Sequence, residues 1–366
     1  MEVIFVEEKS NILTILKIAG TYISCCMGAG FATGQEVMQF FTSYGYLGIV
    51  GLVGVVILFA WYGWVFMKAG NELKATSAKP VLEFLCGKKL GIVVEWITMS
   101  FVFACFSALV SGAGTTLNQY FGINSYLAKV IVTLAICLTA LLGLNSIINI
   151  ISAIAPIAIV LLIIIAIYTI STNPEGLLNV GKAMEGMNLI KAAPTWWISM
   201  LLYVSYCVLP FIPTLSIMGA TTKNKKDAKF GSILGGICLG IGAMLINLSL
   251  LSTISESGTQ EIPMLYLADK MSPIIGILFS VIIISRIYAS NVPLLYSIAM
   301  RFSKGGKRKY KLLLVCVSIA GLLLSFVPFA RLLNIIYPFF GWLGLIIMAF
   351  AVYRTIIKKE KPVIQS

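Results

Sequence analysis

The chain has 366 residues, of which 59 % are hydrophobic and only 11 % charged, with a formal net charge of +13. A soluble domain averages roughly 25 % charged residues, so this much apolar surface excludes a soluble globular protein and fills about ten bilayer-spanning helices of about 20 residues each. There is no histidine, which removes the commonest general base and metal ligand and with it the zinc-hydrolase and Ser-His enzyme classes.

In chain order, Met1 to Asn11 is acidic rather than basic and no small-residue cleavage pattern follows, so no signal peptide is expected. Hydropathy, turn residues and charges then delimit ten spans, at 12–42, 46–70, 90–119, 126–143, 147–170, 195–219, 231–254, 273–300, 311–330 and 332–354. Irregular backbone cannot face lipid, so the expected fold is an all-α integral membrane bundle forming a single transmembrane domain. With the N-terminus inside, 21 of the 27 Lys and Arg fall on the cytoplasmic side, which predicts N-in/C-in. The basic charge then reads as an inner-leaflet collar touching anionic lipid, with no nucleic-acid partner. The eight cysteines lie mostly in apolar runs and read as small packing residues.

Five spans (12–170) precede the long outer loop 171–194 and five (195–354) follow it. Because five is odd, the second set begins on the opposite side, which implies an inverted repeat. The first helix of each set is interrupted about 15 residues in. In span 1 the interruption is Met27-Gly28-Ala29-Gly30-Phe31-Ala32-Thr33-Gly34, since each helical glycine costs about 1 kcal/mol. In span 6 it is Pro210-Phe211-Ile212-Pro213, whose prolines free the carbonyls of Tyr206 and Leu209. Thr33-Gly34-Gln35-Glu36 reads as a capping box restarting a helix at Thr33, and Pro213 suits the first position of a restarted helix. A solute carboxylate fits the exposed amides of such a restart, or the glycines are simply a close-packing surface.

Glu36 is an ionisable group inside a span, expensive there unless functional. It serves either as capping partner, as a counter-charge for an ammonium-bearing solute, or as a holder of a coupling Na+ or H+. Arg286, 13 residues into span 8, has three readings: an ion pair with Glu36, a built-in charge in place of a coupling sodium, or a carboxylate clamp. Ala289, whose carbonyl Pro293 frees, together with Ser290 and Asn291 supplies the oxygens a sodium ion needs, although the guanidinium opposes one. Ser107, Ser111 and Asn118 in span 3 either glue helices or line the site. Glu95 and Lys17 read as interfacial or inner-gate residues, Trp196-Trp197 as an interfacial belt, and 255–272 either as a short helix covering the outer end or as a solvated connector.

Ten spans with a Gly-broken first and a Pro-broken sixth resemble the amino acid–polyamine–organocation (APC) superfamily, whose fold is the LeuT-type 5+5 inverted repeat with discontinuous helices 1 and 6. The stretch Gly28 to Glu36 is similar to that of its YkvI-type bacterial branch. The resemblance implies alternating access, with solute held between the breaks of spans 1 and 6 and touched by spans 3 and 8. It also maps a sodium site onto Gly28 and Ala289 to Asn291, from which Arg286 is a departure. The expected function is secondary transport of a small amino-acid-like or amine-bearing solute, with H+ or Na+ as coupling ion and no other cofactor. The alternative is a nutrient-sensing membrane subunit that binds solute without moving it. The oligomeric state does not follow from the sequence.

Overall fold

The computed structural model describes residues 10–26, 28–143, 155–303 and 306–358. Span 1 is three pieces: α1 (Ile12–Cys26), α2 (Ala29–Thr33) and α3 (Gln35–Phe40). There follow α4 (Tyr46–Glu72), α5 (Ala78–Cys86), α6 (Lys88–Phe121), α7 (Ser125–Leu142) and α8 (Ala155–Thr172). Span 6 is α9 (Trp196–Val208), a 3-10 turn over Leu209–Phe211, and α10 (Ile212–Thr221). The remainder is α11 (Lys225–Ser252), α12 (Pro263–Met271), α13 (Pro273–Ser303), α14 (Lys307–Ser325) and α15 (Phe329–Val352).

Among the described residues seven helices are long and apolar enough to cross a membrane, and two apolar stretches, Ile12–Ser24 and Pro156–Thr172, are shorter. Three of the ten predicted spans are thus absent from the seven. Span 1 is cut at Gly28. The predicted start of span 5, 147–154, lies outside the described residues. Helix α14 begins with Lys307, Arg308, Lys309 and Lys311, which shorten its apolar run. Span 7 starts at Lys225, six residues before the predicted 231, because the Asn224 side chain accepts the Lys226 amide and caps the helix there.

Close helix crossings organise the bundle. α4 packs along α10 and α11, α9 along α15, and α13 along α6. Reciprocal glycines set the α4–α10 crossing: a Cβ on Gly70 would stand 2.1 Å from the Ser216 carbonyl oxygen, and one on Gly219 1.9 Å from that of Met67. Gly236 on α11 meets the Ala60 amide nitrogen in the same way at 2.4 Å. Backbone contact of this kind is how helices associate where lipid supplies no hydrophobic drive.

The two halves of span 1 are supported differently. α1 packs along α11, and its leading end is tied to the buried Asp227 of that helix, which accepts from the Ser10 hydroxyl at 2.6 Å and the Asn11 amide at 3.2 Å. α3 is fixed from three sides. Gln39 donates to the Ala330 carbonyl at 2.8 Å, Ser199 donates to the Phe40 carbonyl at 2.7 Å, and Thr42 just beyond donates to Asn247 Oδ1 at 2.9 Å.

The crossing predicts a contrast between glycines. Gly219→Ala forces backbone apart and is expected to cost about 1–3 kcal/mol, seen as a lower unfolding midpoint in detergent. Gly20→Ala, whose Cβ meets open space, leaves that midpoint unchanged or slightly higher.

Candidate functional site

The chain enters the site through Gly28, which has extended backbone (φ −68°, ψ 178°) and ends the α1 direction. α2 runs only five residues before Gly34, in the left-handed region at φ +79°, turns the chain into α3. Gly34 is required twice over: the positive φ disfavours a side chain, and a Cβ would meet Met264 Cγ at 2.6 Å.

This local geometry corrects the capping box. The helix does not restart at Thr33, which is instead the last residue of α2 and donates its hydroxyl to the Gly30 carbonyl at 2.6 Å. Its hydroxyl oxygen accepts the Gln35 amide at 3.3 Å. Glu36 does not fold back to Thr33. Its carboxyl turns into the bundle, where Tyr206 of α9 donates to Oε2 at 2.9 Å and the Tyr337 hydroxyl of α15 stands close by, both it and Oε1 lying near Gly30. The other oxygen is pressed against Gly30, where a Cβ would lie 2.0 Å from Oε1.

The span 6 interruption is also milder than predicted. Residues 208 to 212 keep right-handed helical angles, and the prolines tighten one turn to 3-10 geometry rather than unwinding it. Tyr206, three residues before that turn, reaches the site through its hydroxyl, whereas the sequence pointed to its carbonyl. The two interrupted helices therefore meet through a side-chain hydrogen bond spanning 170 residues of sequence.

Aromatic rings wall the carboxyl. Tyr206 stacks on Tyr337 (centroids 4.5 Å apart, 21° between planes), and Phe101 lies edge-on to both at 6.4 and 6.2 Å. Phe40 contacts Tyr206 at 5.3 Å, and Tyr203 and Phe340 extend the cluster. The sequence reading missed Tyr337; a tyrosine in an apolar run, followed by the in-helix Pro338, was its only signal.

Arg286 is buried on α13 at 9 % exposure and lines a cleft with Gly28, Phe31 and Ala32 of the broken helix, Ala158, Ile159 and Leu162 of α8, and Gly242 of α11. Among the described residues no Lys or Arg forms an ion pair with Glu36; the carboxyl and the guanidinium stand on separate contacts. Room in the cleft amounts to ≈ 20 Å³, enough for a water and far below an amino acid. Asn291, fully buried, has neither side-chain oxygen nor nitrogen paired, and Gln35 Oε1 is likewise buried and unpaired. Ser290 is half-buried and Ala289 buried beside them.

Other predicted positions are occupied with packing. Ser107 donates to the Phe103 carbonyl at 3.2 Å and Ser111 to the Val327 carbonyl at 2.9 Å, and Asn118 bonds the Ile123 carbonyl at the end of α6. Leu209 is buried and Pro210 half-buried in the 3-10 turn. Met27 and the side chain of Ala29 lie outside the described residues. Glu95 pairs with Arg301 at 2.6 Å, both about half exposed. Trp197 is exposed, as an interfacial belt requires.

The 255–272 segment is a cover rather than a solvated connector. Pro263, Met264, Leu265, Leu267 and Ala268 of α12 are buried, with Met264 against Gly34. At its rim Glu256 accepts from Lys270 at 2.6 Å and Tyr266 at 2.8 Å, and these bonds hold its carboxyl below the usual range.

No protein-family model matches the chain. Two Bacillus subtilis (strain 168) proteins are similar along nearly their whole length. One is the uncharacterized membrane protein YkvI (23 % identity, 90 % of this chain and 92 % of that one), the other the uncharacterized protein YyaD (23 %, 95 % and 97 %). Among solved structures the chain resembles the Eremococcus coleocola manganese transporter (TM-score 0.62, 16 % identity, 97 % of this chain and 82 % of that one). It also resembles Mhp1 in its inward-facing conformation (0.61, 15 %, 94 % and 76 %) and MhsT in complex with L-phenylalanine (0.56, 17 %, 95 % and 89 %). The fold is thus that of LeuT-type transporters, proteins that move solutes and are not enzymes.

Two outcomes follow. Gly30→Ala and Glu36→Ala should be strongly non-additive: Gly30→Ala is expected to cost about 1–3 kcal/mol in the native background and much less once Glu36 is truncated, as a double-mutant cycle on thermal unfolding reads out. For the rim, a depressed folded pKa means that the Glu256 contribution is present above the unfolded carboxylate range and is lost as pH falls through the folded value. Glu256→Gln should therefore increase hydrogen exchange of 263–271 slightly at pH about 7, by under about 1 kcal/mol because the pair is exposed, with the difference vanishing in acid.

Proposed function

We propose that the protein is a secondary transporter of the APC superfamily type, with ten spans arranged as two inverted five-helix repeats (12–170 and 195–354) and both termini cytoplasmic. It carries a small amino-acid-like or amine-bearing solute across the cell membrane by alternating access, coupled to an ion. The observation that carries this reading is the Glu36–Tyr206 hydrogen bond, which joins the two interrupted helices at a fully buried position. Buried polar groups inside a membrane bundle are costly, and they cluster where solutes and ions pass.

The asymmetry of support fits a machine with one open side. α3 is bonded to α9, α11 and α15 under the α12 cover, while α1 has α11 as its main neighbour and two bonded partners, Asp227 of α11 at its tip and, through Tyr22, the Phe59 carbonyl of α4. The likeness to Mhp1 is greater for its inward-facing form (TM-score 0.61) than for its closed form with bromovinylhydantoin bound (0.51). This supports the closed end being the α12 end and α1 being the element that moves. The small cleft, ≈ 20 Å³, is consistent with alternating access in which these helices part to admit solute. Neighbours solved with L-phenylalanine and with bromovinylhydantoin support a small organic solute.

Purified protein in liposomes is expected to accumulate at least one member of a radiolabelled amino-acid and amine panel when an ion gradient is imposed. Tyr206→Phe removes one bond to a carboxyl, about 1.5–3 kcal/mol if that group is charged, and should slow uptake about tenfold or more while the protein remains folded. Thermal stabilisation by a panel member with no flux under any gradient would contradict transport and identify a receptor.

A further inference from the structure

We propose that Glu36 is a proton-binding site and that H+, rather than Na+, is the coupling ion. Proton binding stands on the site geometry alone; only its coupling to flux rests on the transporter reading above.

The carboxyl is 6 % exposed and enclosed on each side. Oε1 is pressed against the Gly30 backbone, where even a methyl group would overlap it at 2.0 Å, and the Tyr337 hydroxyl stands 3.1 Å from that same point. Oε2 faces the Tyr206 hydroxyl at 2.9 Å. A sodium ion needs several oxygens around it and a gap of its own, and an ammonium group needs more. A proton needs neither, so it is the one cation that reaches Glu36 without rearranging the helices.

Nor is the negative charge met by a fixed positive one, since among the described residues no Lys or Arg pairs with Glu36. An isolated carboxylate in a low-dielectric interior relieves its cost by taking up a proton. The ionisable groups that face it are Tyr203, Tyr206 and Cys207 from α9, Tyr337 from α15 and Cys105 from α6. All are neutral in their ordinary protonated forms. Residues 240–252 of α11, the stretch beside Asn247, hold no ionisable side chain, and α12 presents Met264. Arg286 faces the chain from α13, across Gly28, Phe31 and Ala32.

Arg286 sharpens the choice. A guanidinium does not release its proton in a protein, so it is a constant charge and not a carrier. It lies on the Gly28 cleft, one turn before Ala289 to Asn291 on the same helix. The exchangeable group is therefore Glu36: H+ joins the carboxylate to give the neutral acid, which donates to one tyrosine oxygen while accepting from the other. Neutralisation removes the anion from the joint of the two interrupted helices, the step that lets them move.

The direct test is pH-difference infrared spectroscopy of the protein in liposomes without solute. Acidification is expected to raise a carboxylic C=O band that is missing in Glu36→Gln and shifted upward in Tyr206→Phe, which has lost one hydrogen bond. Should Glu36→Gln fail to fold, a shift of the same band in Tyr206→Phe or Glu36→Asp assigns it equally. Absence of the band, or its persistence unshifted in every folded variant, would overturn the proposal. A second arm uses pyranine-loaded liposomes and an equimolar mixture of the 20 amino acids. Solute-driven lumen acidification without Na+ supports coupling to H+; uptake of labelled amino acids that needs Na+ and leaves lumen pH unchanged overturns the coupling and leaves transport standing.

Discussion

A buried carboxyl at the joint of two broken helices is the constraint from which the rest of this structure follows. Glu36 reaches its position because Gly28 and Gly34 turn the chain twice within seven residues, and because Gly30 has no side chain to keep the carboxyl away. Two tyrosines from helices far apart in sequence converge on it. Each element is individually unfavourable in a membrane: helix-breaking glycines, an acid, and polar hydroxyls deep among aromatic rings. Together they satisfy one another, and such local conflict with the fold is retained where function needs it.

The surrounding bundle is held by close backbone approaches and by hydrogen bonds between helices. Backbone-to-backbone approaches through Gly70, Gly219 and Gly236 lock α4 to α10 and α11. α1 rides on α11, bonded at its tip to Asp227, and its buried Tyr22 donates to the Phe59 carbonyl of α4 at 3.0 Å, while α3 is bonded to three helices. The chain between α1 and α3 is Gly28, the five-residue α2 and Gly34. Packed interfaces of this sort hold two discrete arrangements rather than bending continuously.

Much of this was legible in the sequence, and for definite reasons. Apolar runs bounded by charges located the helices, because a bilayer leaves the backbone few alternatives. Glycines at 28, 30 and 34 and prolines at 210 and 213 located both interruptions, because their effects are local. What failed was anything depending on partners. Thr33 and Glu36 fit a capping box by spacing, yet the acid finds better partners in Tyr206 and Tyr337, 170 and 301 positions away, which no local pattern can announce. Arg286, deep in an apolar run, reads as a buried charge, but its place on the Gly28 cleft rather than beside Glu36 is set by how α13 crosses α2. The prolines of span 6 promised an unwound stretch, and tightening to one 3-10 turn proved sufficient.

The claim that one carboxyl governs the joint is tested most directly by a distance across it. Spin labels replacing the exposed Lys17 on α1 and Ile217 on α10, in a background lacking reactive cysteines, report their separation by pulsed electron resonance in liposomes. The account predicts two populations whose ratio changes on acidification, and a Glu36→Gln protein held in the acid-like population at every pH. A single distance unaffected by pH, or a Glu36→Gln protein that shifts as the parent does, would contradict it.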